Sequence, residues 1–465
     1  MLPTLRSLFI TGLLAASAYA EVRLPSIFGD HMVIQRDSEL VVWGRAKALE
    51  KVTVRPSWTD EIFTYDTPSN GQWRVTIPTP SAGGPHRLVV EGYNRIELND
   101  ILAGEVWLAS GQSNMEWTAM SGIEQRDEAI ATADYPQIRL FTAQQATAEH
   151  RQYDVDGAWQ VTTPDSMRYF SAVAYFFGRE LHEELQVPVG LISSSWGGTP
   201  AEVWTVPEKI ESDPALLQAA EALEPVPWGP VARGVAYHAM IEPLIPYRIR
   251  GTLWYQGEGN VGHAETYDEL MEALVGGWRE QWGYDFPFFW AQIAPWKGYG
   301  EYPSGAELRD AQRRALRIPE SGMVVTHDIG DLDDIHPRNK HDVGHRFALL
   351  ALDQVYGKDV VSSGPLYRQM RVRRDAIEVE FDYADGLVET GALTDFQIAG
   401  EDRIFHPAKA TITDRDTVLV SSPEVPSPVA VRFGWSNATN PTLFNAAGLP
   451  ASTFRTDDWP PPAAE

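Results

Sequence analysis

Four apolar runs in the middle of the chain each end in a short polar or glycine-bearing segment, and those segments hold the side chains that acyl transfer uses. After residues 105–109 comes Ser110-Gly111-Gln112-Ser113-Asn114, and after 189–194 comes Ser195-Trp196-Gly197-Gly198-Thr199. After 252–255 comes Gln256-Gly257-Glu258-Gly259-Asn260, and after 323–326 a loop with Asp328, Asp331, Asp333, Asp334 and His336. A serine hydroxyl becomes a competent nucleophile only when an imidazole takes its proton and a carboxylate fixes the imidazole's tautomer. Ser113 and His336 supply the first two parts. Asp333, three residues before His336, has a spacing that lets it accept the imidazole N–H. Asp331 and Asp334 compete for that role, as does Glu258 from another strand end. The developing oxyanion needs preorganised donors, for which the Gln256 or Asn260 amide is the candidate.

These groups act together only if the four runs lie side by side. From 100 to about 357 the runs alternate with segments of helical spacing. In 171–185, Val173, Phe176, Phe177, Leu181 and Leu185 fall on one face. Strands alternating with helices predict a parallel sheet covered on both sides, with ligands bound beyond the carboxyl ends of its strands. On either side the pattern is different. Residues 21–99 read as short β-runs separated by turns, with Asn70-Gly71 as a hairpin signal, and predict a β-sandwich module. The β-pattern returns from about 365, so 361–465 is expected to be a second β-sandwich or jelly-roll-like module. The catalytic region is assigned to 100–360.

The first twenty residues carry Arg6, an apolar stretch from Leu8 to Ala16 and Ala18-Tyr19-Ala20. That order predicts a signal peptide at 1–20 and a secreted or periplasmic protein. No apolar run reaches the ~20 residues of a transmembrane helix. The chain has no cysteine, which removes thiolate nucleophiles, disulfides and Cys-ligated zinc. Its net charge of -26 argues against nucleic-acid or anionic-membrane partners, which need basic patches.

At the same residues the chain resembles the sialate O-acetylesterase family, within the SGNH (GDSL-like) hydrolases and allied to carbohydrate acetylesterases. The likeness runs through Val106-Trp107-Leu108-Ala109-Ser110-Gly111-Gln112-Ser113-Asn114-Met115-Glu116-Trp117 and Ser195-Trp196-Gly197-Gly198-Thr199-Pro200-Ala201-Glu202. It continues in Ile249-Arg250-Gly251-Thr252-Leu253-Trp254-Tyr255-Gln256-Gly257-Glu258 and Asp334-Ile335-His336-Pro337-Arg338-Asn339-Lys340. Phe28-Gly29-Asp30-His31-Met32-Val33-Ile34-Gln35-Arg36 and Gly448-Leu449-Pro450-Ala451 extend it over nearly the whole chain after the leader. The resemblance implies a flavodoxin-like three-layer core, Ser113 as nucleophile and His336 as base, with no cofactor. It implies an oxyanion hole from the Ser113 N–H, a glycine of the Gly197-Gly198 pair (Gly198 in the first instance) and the Gln256 segment. The implied substrate is acetylated carbohydrate, either sialic acid or a hemicellulose such as xylan or xyloglucan. Gly259 stands where the family pattern has Ser.

Two other readings fit parts of the sequence. A metal-dependent hydrolase would draw on the crowded segment 327–345, with His327, Asp328, Asp331, Asp333, Asp334, His336, His341, Asp342 and His345. A non-catalytic carbohydrate-binding protein would use the β-modules and the 16 Trp and 17 Tyr. Neither accounts for all four strand ends.

Overall fold

The structure, a computed structural model, describes residues 21–384 and 386–460. The expected signal segment 1–20 lies outside them. Seven strands form the central sheet: β1 (Arg95–Gly111), β2 (Tyr135–Thr142), β3 (Trp159–Thr162), β4 (Val189–Ser195), β5 (Gly251–Tyr255), β6 (Phe288–Ala291) and β7 (Ser321–Val324). Their order across the sheet is β7-β6-β5-β1-β4-β2-β3. All neighbours are parallel except β2 and β3. Every residue of β4, β5 and β6 is buried, as continuous apolar runs covered on both faces should be.

The two faces carry separate cores. One holds Val106, Leu108, Trp254, Phe288 and Trp290 against α3 (Tyr267–Trp282) and α4 (Ser304–Arg314). The other holds Trp107, Ala109, Leu253, Phe289 and Val324 against α2 (Ala172–Leu185) and α5 (Lys340–Gln354). Alternate residues of β1 point to opposite faces, as the pleat demands. A short α1 (Ser113–Glu116) follows β1 directly. The result is a three-layer α/β core with a mostly parallel sheet.

β1 is longer than its apolar run. Residues 95–103 pair antiparallel with strand Gly83–Glu91, while 105–111 lie at the centre of the parallel sheet. One core runs continuously from Val42, Val54 and Ile77 into Trp254 and Leu274, so the N-terminal β-module and the α/β region share packing. The Asn70-Gly71 turn does not close a hairpin. Phe63–Asp66 before it pairs with Lys51–Pro56, and Gln72–Pro78 after it pairs with Glu39–Arg45. The turn passes the chain between ladders instead.

At the C-terminal end, one antiparallel sheet (Leu366–Arg373, Ala376–Asp382, Thr417–Ser421, Lys409–Asp414) faces another (Phe405–Pro407, Phe396–Ala399, Ala430–Phe433, Phe454–Arg455). Ile377, Val379, Val418, Ile398, Val431 and Phe454 fill the space between them. Residues 434–453 then pack back on the α/β core. The fully buried Arg309 of α4 donates to Gly434 O (3.3 Å), Ser436 O (2.5 Å) and Thr453 Oγ1 (3.2 Å). These acceptors meet Nε and Nη2 of the buried guanidinium, while Nη1 is buried without a partner.

Candidate active site

Ser113 is presented by a tight passage from β1 into α1. Gly111 has φ +133°, and a Cβ there would lie 2.2 Å from Tyr255 O, so only glycine fits. Gln112 N–H donates to Tyr255 O at 3.0 Å, which locks the turn to β5. Ser113 is the first residue of α1, where a backbone N–H has no intrahelical acceptor.

His336 reaches this serine from the loop after β7. Its Nε2 is 3.0 Å from Ser113 Oγ. The ring stacks on Trp117, with centroids 4.3 Å apart and planes at 15°, and Trp117 is held by an Nε1–H bond to Gly122 O (3.0 Å). Position and ring plane are therefore fixed before substrate arrives. The carboxylate near His336 is Asp334, not Asp333 as its spacing predicted. Asp334 Oδ1 lies 3.7 Å from Nδ1 and accepts the His336 backbone N–H at 2.9 Å. Asp333 is 80 % exposed and pairs with Lys297 Nζ at 2.8 Å. The loop here is a turn, with Asp333 N–H bonded to Asp331 Oδ1, and the Asp333 carboxylate goes to Lys297 instead of the imidazole.

Glu258 does not contact His336 either. Its Oε1 accepts from Asn114 Nδ2 at 2.6 Å. Asn114 also donates to Ile335 O (3.0 Å), while its Oδ1 accepts from Lys340 Nζ (2.5 Å). The residue after Ser113 thus ties α1 to the residue before His336, through a buried Asn114–Lys340–Glu258 cluster. Burial pushes the Lys340 ammonium down to about 7, against the pull of Glu258 and Asp334. Burial, reinforced by the positive charge of Lys340, also lowers His336 below the ordinary histidine value, while Asp334 opposes the shift. A base must be neutral to act. The acid limb of kcat/KM is therefore expected below pH 6.5, the ordinary value. Lys340 is mostly protonated where His336 titrates. Lys340→Met removes that charge and should move the limb to higher pH; a pH–rate profile unmoved by the substitution would contradict the coupling.

The second loop brings two glycine backbones up to the serine. Gly197 lies against the serine: a Cβ built on it would sit 3.3 Å from Ser113 Cβ. Its N–H is already taken by Glu116 Oε2 at 2.6 Å. Gly198, at φ +72°, has a backbone N–H with no acceptor among the described residues. Gln256 and Asn260, expected to donate to an oxyanion, do not face it. Gln256 Nε2 donates to Thr199 O (3.2 Å) and Asn260 Oδ1 (2.7 Å), and its Oε1 accepts from Tyr267. Asn260 Nδ2 donates to Glu202 Oε2 (2.9 Å), and its Oδ1 also accepts from Ala201 N–H. Both amides are fully buried, and their bonds hold the 199–202 segment in place.

The acidic segment 327–345 disperses. Asp328 forms a two-pronged pair with Arg346, His345 pairs with Glu180, His341 with Asp342, and His327 meets Thr453. Among the described residues no three His, Asp or Glu side chains group as metal ligands, and no helix is long and apolar enough to cross a membrane. Sequence reasoning assigned no role to Asn114, Glu116, Trp117 and Lys340. They sit in the motifs around Ser113 and His336, but only the fold shows that they connect the two.

Residues 103–353 match the family model described as carbohydrate esterase, sialic acid-specific acetylesterase. The chain is 31 % identical over 428 residues to a sialate O-acetylesterase of Rattus norvegicus, covering 77 % of this chain and 79 % of that protein. It is 31 % identical over 389 residues to the sialate O-acetylesterase of Homo sapiens, covering 75 % and 74 %. A crystal structure of a carbohydrate acetylesterase from Xanthomonas citri is similar over 94 % of this chain and 100 % of its own, with 36 % identity and a TM-score of 0.87. With the strand-end constellation, these likenesses identify the chain as a carboxylic ester hydrolase that belongs to the sialic acid-specific acetylesterase family of carbohydrate esterases.

Proposed function

We propose that this enzyme removes O-acetyl groups from carbohydrate through an acetyl-serine intermediate. The observation that carries the reading is the 3.0 Å contact between Ser113 Oγ and His336 Nε2, within the 2.6–3.2 Å reach of a general base. His336 takes the Ser113 proton as Oγ attacks the acetyl carbonyl. The Ser113 and Gly198 N–H groups receive the negative oxygen, and Asp334 stabilises the imidazolium. His336 then returns the proton to the departing sugar hydroxyl, and a water deprotonated by the same imidazole releases acetate. The basic, apolar and small-residue order of 1–20 supports an activity outside the cytoplasm.

The sugar has a platform next to the carbonyl. Trp228 is 62 % exposed, and its indole lies against Gly198: a Cβ on that glycine would meet Trp228 Cδ1 at 2.1 Å. Its backbone carbonyl accepts from Trp196 Nε1 at 3.3 Å, which fixes the segment. An exposed indole beside the oxyanion donors suits the apolar face of a pyranose ring. Trp228→Ala should raise KM for an acetylated oligosaccharide about tenfold, near 1.4 kcal/mol. Turnover of ethyl acetate, which has no ring, should stay within about twofold. Equal losses on both substrates would remove the platform.

The esterase reading is tested by quenching the reaction during turnover. A single acetyl group on the peptide that contains Ser113 is expected, together with acetate release from at least one of acetylated sialic acid, xylan and xyloglucan. Acetate release with no labelled Ser113 would overturn the covalent mechanism, and no release from any of the three would overturn the substrate class.

A further inference from the structure

The antiparallel ribbon Glu39–Arg45/Gln72–Pro78 presents an unusual outer face. Its register places Trp43 opposite Arg74 and Arg45 opposite Gln72, so one aromatic ring and two guanidinium groups share that face. Trp73 points the other way and is 2 % exposed. Its ring slides beneath Gly44, where a Cβ would meet it at 2.7 Å. The absence of a side chain at Gly44 lets this indole form the floor.

This face is one wall of a cavity of about 520 Å³, closed on the far side by Arg151, Tyr153 and the 243–246 segment. Three arginines line it and no carboxylate does. That is notable in a chain with 64 acidic and 38 basic residues. Behind the lining, Glu242 Oε1 lies 3.7 Å from Arg151 Nε, whereas Arg45 and Arg74 pair with no carboxylate among the described residues. Two donors in the lining lack acceptors: Arg45 Nε and Trp73 Nε1 are buried and make no hydrogen bond. The Arg45 guanidinium is held 4.4 Å over the Tyr153 ring, and Phe28 packs edge-on against Trp43 at 4.6 Å, so both are placed in advance.

We propose that this cavity is a second glycan-binding site, separate from Ser113, that takes a carboxylated sugar unit. Guanidinium groups pair with a carboxylate through parallel N–H bonds, and the half-buried Trp43 and Tyr65 rings supply faces for the pyranose. Neither a neutral sugar nor a bare anion would use both features. Nothing in this assignment depends on the esterase reading, because no residue of the cavity belongs to the Ser113 site.

Calorimetric titration of the full chain with glucuronic acid, glucose and sodium sulfate tests it. Glucuronic acid should bind, with glucose and sulfate each weaker by about tenfold or more. Arg74→Ala and Arg151→Ala, both at exposed positions, should each weaken glucuronic acid binding about tenfold and leave the melting temperature unchanged. Glucose binding as well as glucuronic acid, sulfate binding as well, or glucuronic acid affinity unmoved by either arginine variant would overturn the proposal.

Discussion

Ser113→Ala is expected to lower kcat for acetate release by on the order of 10⁶-fold, the scale set by removal of a serine nucleophile acting as a unit with its base. The loss falls on chemistry alone. The turn that carries Ser113 is built by Gly111, by the Gln112–Tyr255 bond and by the side chain of Asn114, none of which involves the hydroxyl. The contact to His336 joins two half-buried groups, so the melting temperature should shift little. The backbone donors survive, and a residual rate of ~10³ over the uncatalysed reaction should remain from them and from binding. Adding His336→Ala to Ser113→Ala should cost almost nothing more, because the two side chains perform one proton transfer. Acetate release with parallel thermal melts is the measurement. A Ser113→Ala variant within about tenfold of wild type, or a double variant far below the single, would mean that the 3.0 Å contact is structural.

The parts of this architecture that were legible in the sequence are those specified locally. Runs 189–194 and 252–255 are apolar on both faces because the sheet is covered on both sides, so they announce buried parallel strands. Ser113 is legible for the same reason, since it stands just past the end of such a run. The module boundary expected between 99 and 100 falls inside β1, which runs from Arg95 to Gly111. Asp100 does take the left-handed conformation, φ +53°, but the strand continues past it through an irregular register. Its carboxylate is held by Arg139 and His31, both at 2.7 Å. Those partners are 39 and 69 residues away, so a local rule was overridden by contacts that no window of sequence contains. Gln256 and Asn260 illustrate a second limit. Sequence puts their amides at the right strand end, but the direction of each is set by Tyr267, Glu202 and Ala201, so the side chains face the loop rather than the substrate.

The choice between Asp333 and Asp334 yields the second large effect. Asp334→Asn should lower kcat by ~10²- to 10⁴-fold, the range spanned when the carboxylate behind a catalytic imidazole is neutralised. The substitution isolates charge from architecture. An asparagine carbonyl can still accept the His336 backbone N–H, the 2.9 Å bond that shapes the turn, while the negative charge 3.7 Å from Nδ1 is lost. That charge raises the affinity of His336 for a proton, against burial and Lys340, which lower it. Without it the imidazolium formed during attack is less stable, and the acid limb of kcat/KM should move further down in pH while the plateau falls. Asp333→Asn should leave kcat within about twofold, because a mostly exposed pair with Lys297 contributes ~0–1 kcal/mol at most and touches nothing that reacts. pH–rate profiles of both variants decide the matter. A large loss for Asp333→Asn with a near-normal Asp334→Asn would restore the partner that spacing predicted. Equal, small losses for both would leave His336 oriented by its stack on Trp117 and its backbone ties alone.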